Sequence, residues 1–196
     1  MNKLGDLSCN EFLTELASAA PAPGGGGGAA MAGALAAALA SMVANLTIGK
    51  EKFAECEPEV KELLKQAEAE RVRLLTLVDE DAAVFNSFMS CYKLPKTTDE
   101  EKAARTAAIR AAAKQAATVP LNIARSSFAV LKLADRSVVA RNPGVITDGA
   151  CSGLLARAAL RCAEYNVRIN LGLTKDEAWN AQATADLKQL LADAEA

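Results

Sequence analysis

The feature that most constrains this chain is a long stretch without charge. No charged residue lies between Glu15 and Lys50, and the stretch contains five consecutive glycines, Gly24–Gly28, followed by an alanine-rich segment. A segment this apolar should be enclosed by the rest of the protein. Glycines that open a helix leave backbone N–H groups free to face a ligand, because the first turn has no internal partners for them. The stretch therefore predicts a central helix over residues 28–48 with a binding site at its start.

The composition of the whole chain is typical of a helical bundle. Hydrophobic residues make up 51% of the 196 residues, whereas aromatic residues make up only 4%. Ala, Leu, Glu, Lys and Arg, which are strong helix formers, make up much of the chain. Helix start and stop signals divide the chain into about six helices, and we find no strand pattern. We expect one all-α domain over residues 1–196, a multi-helix bundle around the Gly/Ala-rich helix.

Capping residues and prolines mark the expected helix boundaries. Ser8, Thr98 and Thr174 each lie three residues before a glutamate, which is the pattern of a capping box at a helix start. Asp148, after Thr147, is a further candidate N-cap. Pro120 either kinks one long helix or separates two, because proline lacks an N–H donor and clashes with the preceding turn.

Composition also excludes several classes of function. The net charge of −2, without any basic cluster interleaved with aromatic residues, argues against a nucleic-acid partner. The chain has no histidine, so Ser-His-Asp and Cys-His triads and the usual zinc sites are excluded. If the protein is an enzyme, any proton transfer must therefore be carried out by Asp, Glu, Lys, Tyr or Cys.

The cysteines and the apolar helix indicate the environment of the protein. The five cysteines are odd in number and form no CxxC pair, which fits reduced thiols in the cytoplasm, and we expect small buried side chains. Residues 29–48 have the length of a membrane span but lack flanking arginine or aromatic anchors. We therefore interpret them as a central helix of a soluble protein and expect no membrane partner.

Asp81 is the carboxylate that the helical pattern singles out. At ~100° per residue it shares a face with Val78, Phe85 and Phe88, whereas Asp79 points away. A carboxylate among apolar side chains is costly unless it is paired. Asp81 is therefore either a structural group, which caps another helix or pairs with an arginine, or a general acid or base whose pKa is raised by burial.

Other polar residues leave two interpretations open. The same projection places Asn166 and Asn170 on the face of Asp148. Two asparagines one turn apart can bind the edge of a planar heterocycle or a neighbouring helix. Lys50 is either a solvated lysine at a helix end or a contact for an anionic ligand.

The glycines themselves match neither of the common nucleotide-binding patterns. GxGxxG would need a preceding strand, and in GxxxxGK[ST] the lysine would follow at once, whereas Lys50 is far downstream. The alternative to a binding loop at this position is a flexible linker.

Several motifs, in order along nearly the whole chain, resemble the formimidoyltetrahydrofolate cyclodeaminase and methenyltetrahydrofolate cyclohydrolase family. They are Pro23-Gly24-Gly25-Gly26, Ser41-Met42-Val43 through Asn45 and Thr47 to Lys50, Asp79-Glu80-Asp81-Ala82-Ala83-Val84-Phe85, Lys93-Leu94-Pro95-Lys96, Asn142-Pro143 with Thr147-Asp148, and Asn166 to Leu171. The chain departs from the family pattern at Gly27, where the family usually has serine.

The resemblance implies an all-helical domain that forms a homodimer and binds a tetrahydrofolate derivative without a metal or other cofactor. Asp81 matches the catalytic aspartate of the family, and Asp148 matches the aspartate of its Ser-Asp motif and would orient the pterin or assist. The expected substrate-binding residues are Pro23, Gly24, Gly25, Gly26, Asn45, Thr47, Lys50, Asn166 and Asn170. The small residues of the central helix suit close packing against a second copy, but packing within one chain explains them equally well.

The implied reaction is the hydrolysis of 5,10-methenyltetrahydrofolate to 10-formyltetrahydrofolate. The first alternative is cyclodeamination, in which 5-formimidoyltetrahydrofolate closes its ring and releases ammonia. The sequence does not separate the two. A folate-binding module without catalysis and a purely structural bundle are the alternatives of another class, since a fold alone does not fix function.

Overall fold

The computed structural model describes residues 3–139 and 142–195, with the backbone alone for Val139. In these ranges six α-helices follow one another without a strand: α1 (Cys9–Leu16), α2 (Gly25–Asn45), α3 (Glu57–Cys91), α4 (Asp99–Val139), α5 (Ile146–Thr174) and α6 (Glu177–Glu195). Short 3-10 helices at Leu4–Asp6, Glu51–Cys56 and Pro143–Val145 precede α1, α3 and α5. The prediction of an all-α bundle is confirmed.

Helix α2 is the centre of the bundle and packs against α3, α4 and α5. Its alanines Ala30, Ala36 and Ala37 are fully buried, and their small side chains allow the neighbouring helices to approach closely. Helices α2 and α5 run antiparallel, and the hydroxyl of Ser152 in α5 donates to the carbonyl of Ala36 (2.7 Å). The uncharged stretch therefore forms the core helix that its composition predicts.

The glycine segment differs from the expected loop. The predicted start of the central helix, at residue 28, is wrong by about one turn, because α2 begins at Gly25 and the glycines form its first turn. Gly24 is the N-cap and supplies no side-chain hydrogen bond. Helix α2 is also long and apolar enough to cross a membrane, but 61% of that segment is buried inside the bundle, as expected for a core helix.

The other helix boundaries follow the sequence signals with two exceptions. The capping boxes at Ser8 and Thr98 are present, and α4 continues through Pro120 as one helix. The expected box at Thr174 is wrong: Thr174 ends α5, and the side chain of Asp176 accepts from the backbone of Trp179 (3.0 Å) to cap α6.

The second exception is the start of α5. Asp148 is not the N-cap, because α5 begins two residues earlier, at Ile146, and Asp148 lies in the first turn. The side chain of Asn142 instead caps the short 3-10 helix ahead of α5 by accepting from the backbone of Gly144. This 3-10 helix leads directly into α5, so it replaces the capped start that the sequence predicts.

The cysteines are less buried than expected. Cys9, Cys151 and Cys162 are exposed and Cys56 and Cys91 are half-buried; all five lie in the described residues, and none forms a disulfide. The expectation of small buried side chains is therefore wrong for three of them.

Candidate functional site

A pocket lies at the start of α2, where α3, α4 and α5 meet it. Its cavity volume is about 170 Å³, which is less than the ~300–1,000 Å³ of sites that enclose a whole drug-sized ligand, so the pocket would enclose only part of such a molecule. Helix α2 and the segment before it form the floor, α3 and α4 form one side, and the last turns of α5 form the other. The lining residues are Pro21, Ala22, Gly24, Gly25, Gly26, Asp81, Val84, Phe85, Phe88, Ala116, Val119, Asn166 and Asn170.

Asp81 reaches the pocket from the middle of α3 and lies against the first turn of α2. Its carboxylate accepts a hydrogen bond from the backbone N–H of Gly27. A Cβ atom at Gly26 would lie only 2.6 Å from Asp81 Cγ, so no side chain fits there while the carboxylate keeps its place. Asp81 thus caps α2 from another helix, because an N-terminal turn has N–H groups without internal partners. This contact agrees with the structural interpretation of Asp81 and also places its carboxylate in a pocket, and its catalytic role stays a prediction.

The pKa of Asp81 is raised above its ordinary value. Burial is the larger cause, since it disfavours the charged form, and the hydrogen bond from Gly27 lowers the pKa in part. Among the described residues that line the pocket, Asp81 alone is ionisable. A raised pKa brings a carboxyl group closer to the pH range in which it can both accept and return a proton, which suits a general acid or base.

The opposite side of the pocket presents two side-chain amides. Asn170 Nδ2 donates to the carbonyl of Ala116 in α4 and to the carbonyl of Asn166, both at 2.8 Å. Asn166 Nδ2 donates to the carbonyl of Cys162 at 2.9 Å. The amide oxygens of Asn166 and Asn170 remain as acceptors, and Asn166 Oδ1 would lie 3.4 Å from a Cβ added at Gly25.

The apolar walls include two phenylalanines that share a face of α3 with Asp81 in the helical projection. Phe85 and Phe88 follow Asp81 by one and two turns of α3 and line the pocket with Val84 and Val119. Phe88 also makes an edge-to-face contact with Tyr92, with ring centroids 5.3 Å apart. Their spacing from Asp81 is the sequence signal that could have identified them as site residues.

The structure brings together only part of the predicted site. Six of the predicted residues line the pocket: Gly24, Gly25, Gly26, Asp81, Asn166 and Asn170. Pro23 is buried next to them, and its Cβ atom lies 3.3 Å from the position of a Cβ added at Gly27. The other predicted residues lie at the opposite end of α2 and α5. The pocket end and the far end of α2 are about 30 Å apart, because the helix rises ~1.5 Å per residue over its 21 residues.

At that far end the predicted residues differ in exposure. Asn45 and Lys50 are exposed and Asp148 is half-buried. Thr47 is buried, and its hydroxyl donates to the carbonyl of Val43 (2.7 Å) and accepts from Asn142 Nδ2 (3.1 Å). Thr47 thus ties the end of α2 to the segment ahead of α5. The roles of these residues in binding stay predictions.

Potential metal ligands are scattered over the fold. Within residues 3–139 and 142–195 no three His, Cys, Asp or Glu side chains come together in a group that could hold a metal ion.

Comparison with known proteins identifies relatives along the whole chain. The model of the family described as formiminotransferase-cyclodeaminase matches residues 8–189. The chain is 44% identical to methenyltetrahydrofolate cyclohydrolase of Methylorubrum extorquens over 97% of its own length and 91% of that protein. It is 33% identical to formimidoyltransferase-cyclodeaminase of Sus scrofa over 93% of its own length, but it spans only 34% of that longer protein. The crystal structure of formiminotetrahydrofolate cyclodeaminase from Thermotoga maritima superposes with a TM-score of 0.87 at 29% identity, over 97% of this chain and 91% of that one.

Proposed function

Because the chain belongs to the formiminotransferase-cyclodeaminase family, we propose that it hydrolyses 5,10-methenyltetrahydrofolate to 10-formyltetrahydrofolate. The observation that carries the proposal is the carboxyl group of Asp81 in a pocket whose other described walls are uncharged. The similarity to a methenyltetrahydrofolate cyclohydrolase, over nearly the full length of both proteins, supports this reaction in particular.

In the first step Asp81 acts as general base. The bridging carbon of the substrate lies between two nitrogens, N5 and N10, which share a positive charge, so it is electrophilic and is attracted to a nearby carboxylate. Asp81 accepts a proton from a water molecule while the water oxygen bonds to that carbon. The product of this step is a neutral adduct that carries a hydroxyl group.

In the second step the same group acts as general acid. Asp81 returns its proton to N5 as the bond between N5 and the bridging carbon breaks, and the hydroxyl group loses its proton as it becomes the formyl carbonyl. The net reaction consumes one water and releases one proton. We propose that it needs neither a metal ion nor an organic cofactor, because the substrate cation is already activated.

Cyclodeamination is the second candidate, and the similarity to cyclodeaminases favours it. In that reaction N10 of 5-formimidoyltetrahydrofolate attacks the formimidoyl carbon, and Asp81 protonates the nitrogen that leaves as ammonia. The raised pKa of Asp81 suits this role as well.

Incubation of the pure protein with each folate separates the candidates. Loss of the methenyl absorbance without ammonia supports hydrolysis, and appearance of that absorbance with ammonia supports cyclodeamination. Binding of both folates without turnover of either would instead support a binding module and would contradict both enzymatic proposals.

We further propose that the enzyme is a homodimer formed by the outer faces of α2 and α5. Leu154, Tyr165 and Ile169 of α5 are 71%, 68% and 70% exposed, and Leu35 and Met42 of the neighbouring helix α2 are exposed as well. Two adjacent helices about 30 Å long present roughly 600 Å² at ordinary helix spacing, close to the ~800 Å² that each partner buries in a standard interface. Leu154→Glu should therefore yield a monomer in sedimentation at micromolar concentration, whereas a monomeric wild-type protein would contradict the proposal.

A two-fold axis that crosses α2 and α5 would exchange the ends of these helices between subunits. Asp148 and Lys50 of one subunit would then approach the Asp81 pocket of the other, which explains how residues about 30 Å apart in one chain could serve one substrate. We therefore propose that each site draws on both subunits.

We propose a cytoplasmic location as well. The exposed thiols of Cys9, Cys151 and Cys162, none of which forms a disulfide, suit a compartment that keeps thiols reduced.

A further inference from the structure

Pro120 interrupts the hydrogen bonds of α4 beside the pocket. It lies inside the helix, is buried and follows Val119, which lines the pocket. In an uninterrupted helix the N–H of residue 120 would donate to the carbonyl of residue 116, but proline has no N–H. The carbonyl of Ala116 is therefore left without its usual helical donor.

Asn170 supplies the replacement. Its Nδ2 lies 2.8 Å from the carbonyl oxygen of Ala116 and 2.8 Å from that of Asn166. Both partners only accept hydrogen bonds, so the nitrogen and not the oxygen of the amide must face them. Because a side-chain amide has two N–H donors, both are used, and Oδ1 of Asn170 remains an acceptor for a ligand in the pocket it lines.

We propose that Pro120 is a positioning residue for substrate recognition: by leaving the Ala116 carbonyl to Asn170, it fixes the side-chain amide so that Oδ1 accepts from the N–H groups at the edge of a pterin. This inference rests on the proposed function for the identity of the ligand. The edge of a pterin that carries the amino group and the neighbouring ring N–H presents donors, so a fixed acceptor discriminates in its favour. A free amide could turn its NH2 group toward these donors instead.

The test is a double-mutant cycle with Pro120→Ala, Asn170→Ala and the double variant. Alanine restores the N–H of residue 120 and is favourable in a helix, so Pro120→Ala should fold, which circular dichroism checks. Pro95→Ala is the matched control, because Pro95 is exposed in the segment between α3 and α4. KM, kcat and the Kd of the product 10-formyltetrahydrofolate are measured for each protein.

We expect Pro120→Ala to raise KM and Kd by about 3- to 10-fold, the range of one hydrogen bond, with kcat within about twofold. Asn170→Ala should raise KM and Kd at least as much, and the double variant should match Asn170→Ala, because Pro120 acts only through Asn170. The NMR signals of the Asn170 side-chain amide should also shift in Pro120→Ala and not in Pro95→Ala, whether or not the protein is active.

Two outcomes would overturn the inference while the proposed function stands. One is an unchanged KM for Pro120→Ala, and the other is an effect of Pro120→Ala that simply adds to that of Asn170→Ala. Absence of turnover of either folate by the wild-type protein would instead contradict the proposed function. In that case unmoved Asn170 amide signals in Pro120→Ala would overturn the positioning role as well, and shifted signals would support it.

Discussion

The carboxylate of Asp81 occupies the space that a side chain at Gly26 would need. Helix α3 can approach the first turn of α2 this closely only because Gly26 has no Cβ atom. The close approach gives the Asp81 carboxylate two roles. Asp81 caps α2, and its position in the pocket gives it access to a ligand. Substitutions on either side of this contact therefore change stability and chemistry together.

Asp81→Asn should remove the proton transfer and leave the fold intact. We expect kcat to fall by about 10²- to 10⁴-fold, the usual contribution of general acid–base catalysis. The amide is similar in shape and can still accept from the N–H of Gly27. Steady-state kinetics together with a thermal melt test this expectation, and unchanged turnover would remove Asp81 from the mechanism.

The same variant should show how stability depends on pH. Burial raises the pKa of Asp81 in the folded state above its ordinary value of 3.8, so the folded protein holds this proton more tightly than the unfolded chain. The resulting contribution to stability is fully present below pH 3.8 and is lost as pH rises through the folded-state pKa. Urea unfolding across this range should show the wild type losing stability relative to Asp81→Asn as pH rises; the opposite trend would contradict the raised pKa.

Gly26→Ala should displace the carboxylate. An added Cβ would lie 2.6 Å from Asp81 Cγ, so α3 or the side chain must move, and we expect kcat to fall by about 10²-fold, as for a misplaced catalytic group. Gly28→Ala is the control in the same turn, since its Cβ would meet Leu16 Cδ2 at 3.9 Å, an ordinary contact. It should keep full activity and gain about 0.5–1 kcal/mol in unfolding free energy, because alanine is a better helix former than glycine.

Gly27→Ser should shift the pH profile of catalysis. A Cβ at this position would lie 3.9 Å from Asp81 Oδ2, so a serine hydroxyl can reach the carboxylate and favour its charged form. We expect the acidic limb of the kcat/KM profile to move to lower pH in Gly27→Ser and to stay in place in Gly27→Ala. Equal profiles for the two variants would mean that the hydroxyl does not contact Asp81.

Mixing of two inactive variants tests whether each site draws on two subunits. Asp81→Asn and Asp148→Asn are unfolded together and refolded at equal concentration. Half of the resulting dimers combine the two chains and hold one intact site, so roughly a quarter of the wild-type activity should return if closed two-fold dimers form at random. The absence of any return, with both parents inactive alone, would place both aspartates in the site of a single chain.

The helices and the central aspartate could be predicted from sequence because both follow from local patterns. Capping boxes at Ser8 and Thr98 act over three residues, and the position of Asp81 among apolar residues follows from helical periodicity. The sequence predicts the start of α2 about one turn too late, because glycine is a poor helix former and the contact that stabilises this turn comes from Asp81, far away in the chain.

The pocket itself depends on contacts between helices, which periodicity does not contain. Phe85 and Phe88 lie on an apolar stripe whether they face the core or a ligand. The spacing of Asp148 from Asn166 places both on one face of α5, but it also separates them by about 27 Å along the helix. A shared face of one helix therefore does not by itself predict a shared site within one chain.

Ala116 contributes to the pocket through its main chain, since its carbonyl oxygen holds the side chain of Asn170. A scan that replaces side chains one at a time with alanine would pass over this position without a signal, although it lies in the pocket wall. Only a change in the backbone, such as an ester in place of the peptide bond that follows Ala116, would weaken this acceptor directly. A map of the site built from side-chain substitutions alone would therefore be incomplete.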